Sequence, residues 1–163
     1  MNKTFIFAAA LLGCLALGAE GKAQQTADDA AKVRQLVEQQ RYRFVAHDAQ
    51  PMKGRLILLS WEYDLRVSTD TISAYLPYYG RAYTAPVDPL NIGIKFSSLS
   101  FDYSAKPAQN KGWDIRIQTK DTPTHYDLRL YVSTSGSAML VVYDPNRQSI
   151  TFHGEVLEQK QEE

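Results

Sequence analysis

Four side chains suited to recognising a ligand crowd into six positions: Tyr78, Tyr79, Arg81 and Tyr83, within Leu76-Pro77-Tyr78-Tyr79-Gly80-Arg81-Ala82-Tyr83. Aromatic rings beside a guanidinium suit stacking on sugar rings or other planar groups, and the fixed donor fork of arginine suits carboxylates. The competing assignment is architectural. In it Pro77 sets a turn, Gly80 takes a left-handed conformation, and the tyrosines cover a sheet edge with their hydroxyls in water. These four residues are the candidate binding surface.

Other chemistry finds less support. His47, His125 and His153 lack the short spacing of a metal site, so they are read as solvent or turn histidines, and no metal or cofactor is implied. The carboxylates Asp64, Asp70, Asp88, Asp102, Asp114 and Asp127 sit mostly beside basic residues on outward faces. A hydrolytic pair needs two carboxyls within about 5 to 10 Å, often with one in an apolar setting, and no such pair stands out. There is no Gly-x-Ser-x-Gly, no His-Glu-x-x-His and no glycine-rich phosphate loop. A catalytic role is therefore not expected. With 18 basic and 18 acidic residues, no charge excess points to nucleic acid or to an anionic membrane surface, and membrane association is expected only if Cys14 is lipidated.

The elements that must position the tyrosine cluster follow from periodicity. Thr26-Ala27-Asp28-Asp29 offers a hydroxyl cap and early acids, and Ala30, Val33 and Val37 share a face, which predicts a helix over about 27–40 packed across an open end or face of a sheet. Period two begins at Tyr42 with Phe44 and Ala46, and breaks at Pro51 and Gly54. The dense apolar run Arg55 to Trp61 is as expected where both faces are at least partly covered. Tyr63, Leu65 and Val67 then alternate with Glu62, Asp64 and Arg66. A tight turn at Ser68 to Thr71 sets Val67 opposite Ile72, Leu65 opposite Ala74 and Tyr63 opposite Leu76.

Beyond the irregular segment that ends near Gly93, alternation resumes at Ile92, Ile94, Phe96 and at Leu99, Phe101, Tyr103, followed by a loop from Ser104 to Gly112. Centring the next turn between Asp121 and Thr122 sets Trp113 against Leu130, Ile115 against Leu128 and Ile117 against Tyr126, with Asp114–Arg129 and Arg116–Asp127 as outward charge pairs. A loop centred on Gly136 pairs Val132 with Leu140, and one centred on Asn146 pairs Leu140 with Phe152 and Ala138 with Gly154. The prediction is a mainly β domain. An antiparallel meander of 8–9 strands, counted by apolar alternation, curls into a barrel or half-barrel behind one N-terminal helix, with a β-sandwich as the alternative.

Residues 1–23 have a secretory layout: Lys3, an apolar run from Phe5 to Leu17, then small residues to Ala23. Cleavage there removes Lys3, Glu20 and Lys22 and leaves 16 basic and 17 acidic groups. The single domain then spans 24–156, with 157–163 a frayed tail. Export to the periplasm or beyond is expected. Leu11-Leu12-Gly13-Cys14 also resembles a lipobox, which would acylate Cys14 and tether the protein to a membrane; the soluble reading is preferred because apolar residues continue past Cys14. From Gln24 onward there is no cysteine, so disulfides and thiolate chemistry are excluded there.

The tyrosine run, with Asp70-Thr71 before it and Gly93-Ile94-Lys95-Phe96 after it, resembles a family of small secreted Bacteroidetes proteins of unknown function that carry Leu-Pro-Tyr-Tyr/Phe-Gly-Arg-Ala-Tyr. Gly112-Trp113, Gly136 with Leu140-Val141-Val142, and Arg147-Gln148-Ser149-Ile150 with Gly154 extend the resemblance over nearly the whole mature chain. It implies export, a β-rich domain and no transferable catalytic residues. The expected role is an uncharacterised, non-enzymatic envelope protein that binds an apolar or glycan ligand or an envelope partner. A pocketless interaction module and a small periplasmic hydrolase are the alternatives.

Overall fold

The computed structural model describes residues 17–83, 93–109 and 111–159, with side chains from residue 27 onward. Most of the expected leader, with Cys14, therefore lies outside the described residues, as do 84–92 in the irregular segment. One helix, α1 (Leu17–Gln39), precedes ten strands: β1 (Tyr42–Pro51), β2 (Ile57–Leu58), β3 (Asp64–Val67), β4 (Ile72–Leu76), β5 (Ile94–Ser98), β6 (Phe101–Ala108), β7 (Gly112–Thr119), β8 (Asp127–Ser133), β9 (Ser137–Tyr143) and β10 (Ile150–Glu158). Among the described residues no helix is long and apolar enough to cross a membrane.

Nine strands form one antiparallel sheet in the order β5-β4-β3-β1-β10-β9-β8-β7-β6, with β2 paired to β1 beside it. The sheet curls into a nearly closed barrel, which settles barrel over sandwich. Its edge strands β5 and β6 are consecutive in the chain and meet at a corner held by Asp121. The carboxylate accepts hydrogen bonds from the amides of Leu99 (2.8 Å) and Ser100 (3.2 Å) and from the Ser98 hydroxyl. Inward side chains of alternate residues fill the interior: Phe44, Leu65, Ile72, Leu76, Ile94, Ile117, Leu128, Leu130, Leu140, Ile150 and Phe152 are all fully buried.

The helix closes one end of the barrel with Val33, Leu36 and Val37. It stops at Gln40, whose left-handed backbone (φ 50°) lets the Arg41 amide bond to the Leu36 carbonyl at 3.1 Å. The C-terminal boundary agrees with the sequence reading, but the helix runs back to Leu17 rather than starting near Ala27. The Thr26 cap signature lies inside it, because the preceding residues hold only isolated glycines as breakers. Tyr103 ties the far edge strand to this plug, donating to the Val37 carbonyl at 3.2 Å and touching the Tyr42 hydroxyl at 3.3 Å.

Two hairpins have the expected register: Val67 pairs with Ile72 and Leu65 with Ala74, and Leu140 pairs with Phe152 and Ala138 with Gly154. Two others are shifted by one inward-facing step. Trp113 pairs with Val132, Ile115 with Leu130 and Ile117 with Leu128, because the β7–β8 turn is longer than a tight turn. Thr122 donates to the Thr119 hydroxyl at 2.6 Å and the Tyr126 amide donates to the same Thr119 oxygen at 2.9 Å, so threonine hydroxyls fill the wider turn. The expected Asp114–Arg129 and Arg116–Asp127 pairings give way to Asp114–Tyr131 and Arg116–Arg129, although Arg116 still reaches Asp127 diagonally at 2.7 Å. The β8–β9 turn likewise pairs Val132 with Ala138 rather than Leu140. A shift of two residues keeps every apolar side chain on the core face, which is why periodicity alone did not reveal it.

Three expected elements differ in kind. The 104–112 loop is mostly strand, since β6 runs to Ala108; Pro107 is tolerated there because β6 is an edge strand. Leu99 sits exposed at the β5–β6 corner rather than inside. The Arg55–Trp61 run, expected to be at least partly covered on both faces, contributes only the two-residue β2 and leaves Leu58 81% and Trp61 74% exposed. β3 takes the other half of the same β1 edge, so this run has no second neighbour to cover it.

Candidate functional site

The residues after β4 divide the tyrosine cluster in two. Tyr78 turns inward against the core, and its hydroxyl lies within donating distance of the carbonyls of Arg81 (3.0 Å) and Gln148 (3.1 Å). Burial raises its phenol above the usual tyrosine range. The Arg147 guanidinium stacks over the Tyr78 ring at 5.1 Å. Arg147 also meets the buried carboxylate of Asp144 at 3.4 Å and donates to the Gly93 carbonyl at 3.2 Å, so one cation joins the β9–β10 turn to both flanks of the irregular segment. Backbone bonds complete the clamp: the Tyr83 amide to Asn146 O (2.8 Å) and the Gln148 amide to Arg81 O (3.1 Å).

Gly80 does not take the left-handed conformation expected of it; the left-handed glycines among the described residues are Gly54 and Gly136. Its role is spatial, since a Cβ there would stand 2.7 Å from the Tyr78 hydroxyl and 2.9 Å from the ring. The missing side chain makes room for the Tyr78 ring to fold back over the segment.

Tyr79, Arg81 and Tyr83 are left facing solvent, Tyr79 37% and Tyr83 66% exposed, on a backbone fixed by Tyr78, Arg147 and Gln148. The arrangement is an anchored ledge that presents two phenol rings and a guanidinium. Of the four predicted residues, Tyr78 belongs to the scaffold and the other three to the surface. Arg147, Gln148 and Asp144 were not singled out as its support. The position of Arg147-Gln148 beside the Asp144-Pro145-Asn146 turn was visible, but its contact with Tyr78 depends on how the barrel closes.

The grooves of the barrel lie elsewhere. One of about 570 Å³ runs over the outward faces of β6 to β9, past Asp102, Lys106, Arg116, Arg129, Tyr131 and Met139. Its charges are largely matched: Arg116 with Asp127 at 2.7 Å, Lys120 with Asp102, and Arg129 over the Tyr143 ring at 4.8 Å. Asp127 is held below the usual carboxylate range, chiefly by its hydrogen bond from Arg116. The buried carboxylates Asp64 and Asp144 are each held by arginine, Asp64 by both Arg43 and Arg66.

The histidines lie at the surface or in a turn, but two of them have partners that were not expected. The pairing of the first strand with the last brings His47 to Glu155 (3.3 Å) and His153 to Asp48 (2.6 Å), side by side across β1 and β10. Hairpin reasoning could not have found this, since those strands are more than a hundred residues apart. His125 contacts the Thr119 carbonyl in its turn. Among the described residues no group of three or more His, Cys, Asp or Glu side chains is arranged to hold a metal ion.

With a nearly closed barrel, a helical plug and a clamped tyrosine ledge, the molecule is a small β-barrel domain. The model of DUF4251, a domain of unknown function, matches residues 24–156, and the chain belongs to that family. A solved structure of a DUF4251 family protein from Bacteroides eggerthii is similar, with a TM-score of 0.58 at 12% identity over 82% of this chain and 88% of that one. At that identity the likeness concerns the fold alone. No curated protein matches.

Proposed function

We propose that this chain is an exported, non-enzymatic envelope protein that binds a glycan through Tyr79, Arg81 and Tyr83. The observation that carries the reading is the division of labour within one short run: Tyr78 and Arg147 hold the backbone, while the neighbouring aromatics and guanidinium stay in solvent. A rigid display of tyrosine with a donor fork beside it is what a sugar ring needs for stacking and hydrogen bonding, with little ordering entropy left to lose on binding. An apolar ligand is less well served, because the inward side chains of the described residues pack together in one buried cluster. Export rests on the secretory layout of residues 1–23, and the family match beginning at Gln24 supports that boundary.

A self-packed interaction module that contacts another envelope protein is the second reading, favoured by the same buried cluster. Native mass spectrometry of the protein recovered from its own envelope, followed by denaturation and mass analysis of what is released, separates the two. A released oligosaccharide supports the glycan reading and a released polypeptide the module. A bare monomer contradicts ligand binding by the isolated protein.

A further inference from the structure

The stretch between β1 and β3 is neither core nor conventional surface. Met52, Leu56, Leu58 and Trp61 are all exposed large apolar side chains within ten positions. Soluble surfaces normally scatter such residues singly, and a contiguous set of them marks a contact surface. The stretch is also well anchored. Ile57 pairs with Ala49 and Leu58 with Asp48; the Leu59 amide bonds to the His47 carbonyl at 2.8 Å, and the Ala46 amide bonds to the Tyr63 carbonyl at 3.0 Å. Arg43 reaches the Trp61 carbonyl at 3.4 Å, and the His47 ring packs at 5.5 Å against the indole. The backbone is thus held to β1 while the indole and leucine side chains are turned outward.

The charges beside these residues identify what they meet. Lys53 and Arg55 are exposed and have no ion-pair partner among the described residues. Residues 52–61 themselves contain these two cations and no acid, while the nearby acids hydrogen-bond elsewhere: Asp48 to His153, Glu155 to His47, and Glu62 to the Ser60 hydroxyl at 2.9 Å. Leucine, methionine and tryptophan interleaved with lysine and arginine that have no ion-pair partner are the chemistry of a segment that rests in a bilayer interface, with the indole at headgroup depth and the cations against anionic lipid. A protein partner's apolar face would leave Lys53 and Arg55 unmatched.

We propose that residues 52–61 form a membrane-docking loop that seats the barrel on an anionic lipid surface, with Leu58 and Trp61 inserted and Lys53 and Arg55 contacting headgroups. This surface is distinct from the tyrosine ledge, and the proposal stands whether or not the ledge binds a glycan.

The test uses the full chain and vesicles of phosphatidylcholine with or without phosphatidylglycerol, prepared with brominated acyl chains. The only tryptophans are Trp61 and Trp113, and comparing wild type with Trp61→Phe isolates the Trp61 signal. Bromine quenching of Trp61 emission, with a blue shift, is expected on the anionic vesicles. Leu58→Ser should weaken partitioning by about tenfold, and Lys53→Glu and Arg55→Glu by about fivefold each or more, with little change in thermal midpoint because all three sites are exposed. Vesicle binding without quenching of Trp61 would assign membrane affinity to another part of the chain and overturn the proposal. So would an absence of binding, equal quenching in the charge-reversed variants, or a concentration-dependent Trp61 shift without lipid, the last indicating a second copy on the patch.

Discussion

The two ends of the barrel solve the same problem by different means. At the helix end, the chain closes the core with apolar side chains: Val33, Leu36 and Val37 from α1, and Tyr42 and Tyr103 joined through their hydroxyls to the Val37 carbonyl. At the end where β4 runs out and β9 turns into β10, closure depends on polar groups aimed at backbone: the Tyr78 hydroxyl, the Arg147 guanidinium and the buried Asp144. An apolar plug is non-directional and leaves no side chain to spare for solvent. A polar clamp fixes a backbone with a few directed bonds, so the adjacent side chains Tyr79, Arg81 and Tyr83 remain free. The first end is therefore sealed by burial, and the second leaves Tyr79, Arg81 and Tyr83 in solvent.

The contrast breaks most clearly at the plug. Val37→Asp would place an unpaired carboxylate among buried apolar groups and should cost about 3 kcal/mol or more, read as a large fall in the denaturation midpoint. If the barrel tolerated it, the helix would be an accessory rather than a closure. Next in size is the clamp. Tyr78→Phe removes the hydroxyl shared between the Arg81 and Gln148 carbonyls and should cost about 1 kcal/mol in urea unfolding.

Both ends hold tyrosines raised by burial, and the plug carries the larger alkaline signature. Burial pushes Tyr103 up to about 12 and raises Tyr42 well above its usual range. An unfolded tyrosine ionises near 10, so the folded state holds the phenolic protons more tightly. This contribution to stability is fully present below about pH 10 and is lost as pH rises toward about 12. Tyr103→Phe should flatten the alkaline limb of a stability profile, and an unchanged limb would place that titration elsewhere.

The smallest expected effect on stability is at the ledge. Tyr79→Ala, Arg81→Ala and Tyr83→Ala should each change unfolding free energy by less than about 0.5 kcal/mol, because these side chains face water.

The same difference between the ends explains what was legible beforehand. Apolar alternation reports which face of a strand is buried, so the helix end, the strand count and two hairpin registers could be read from residues such as Val67, Ile72, Leu140 and Phe152. It is blind to slips of two residues, and the β7–β8 turn slipped because the Thr119 and Thr122 hydroxyls make a wider turn. The pairing of β1 with β10 is a property of barrel closure and leaves no local mark, so the His47–Glu155 and His153–Asp48 pairs could not be anticipated. At the ledge the right residues were visible but their roles were not separated: Tyr78 and Tyr79 are identical in composition, and only the position of Arg147 divides scaffold from surface. The exposed Leu58 and Trp61 were misread as covered because hydrophobicity alone does not say whether a neighbour is available.

The most direct test of the display assignment combines stability with ligand retention in the triple variant Tyr79→Ala/Arg81→Ala/Tyr83→Ala, recovered from its own envelope beside wild type and Tyr78→Phe. The account predicts that the triple variant unfolds close to the wild-type midpoint yet releases no oligosaccharide in native mass spectrometry, whereas Tyr78→Phe unfolds earlier. A triple variant that loses its fold, or that keeps the same bound species as wild type, would contradict it.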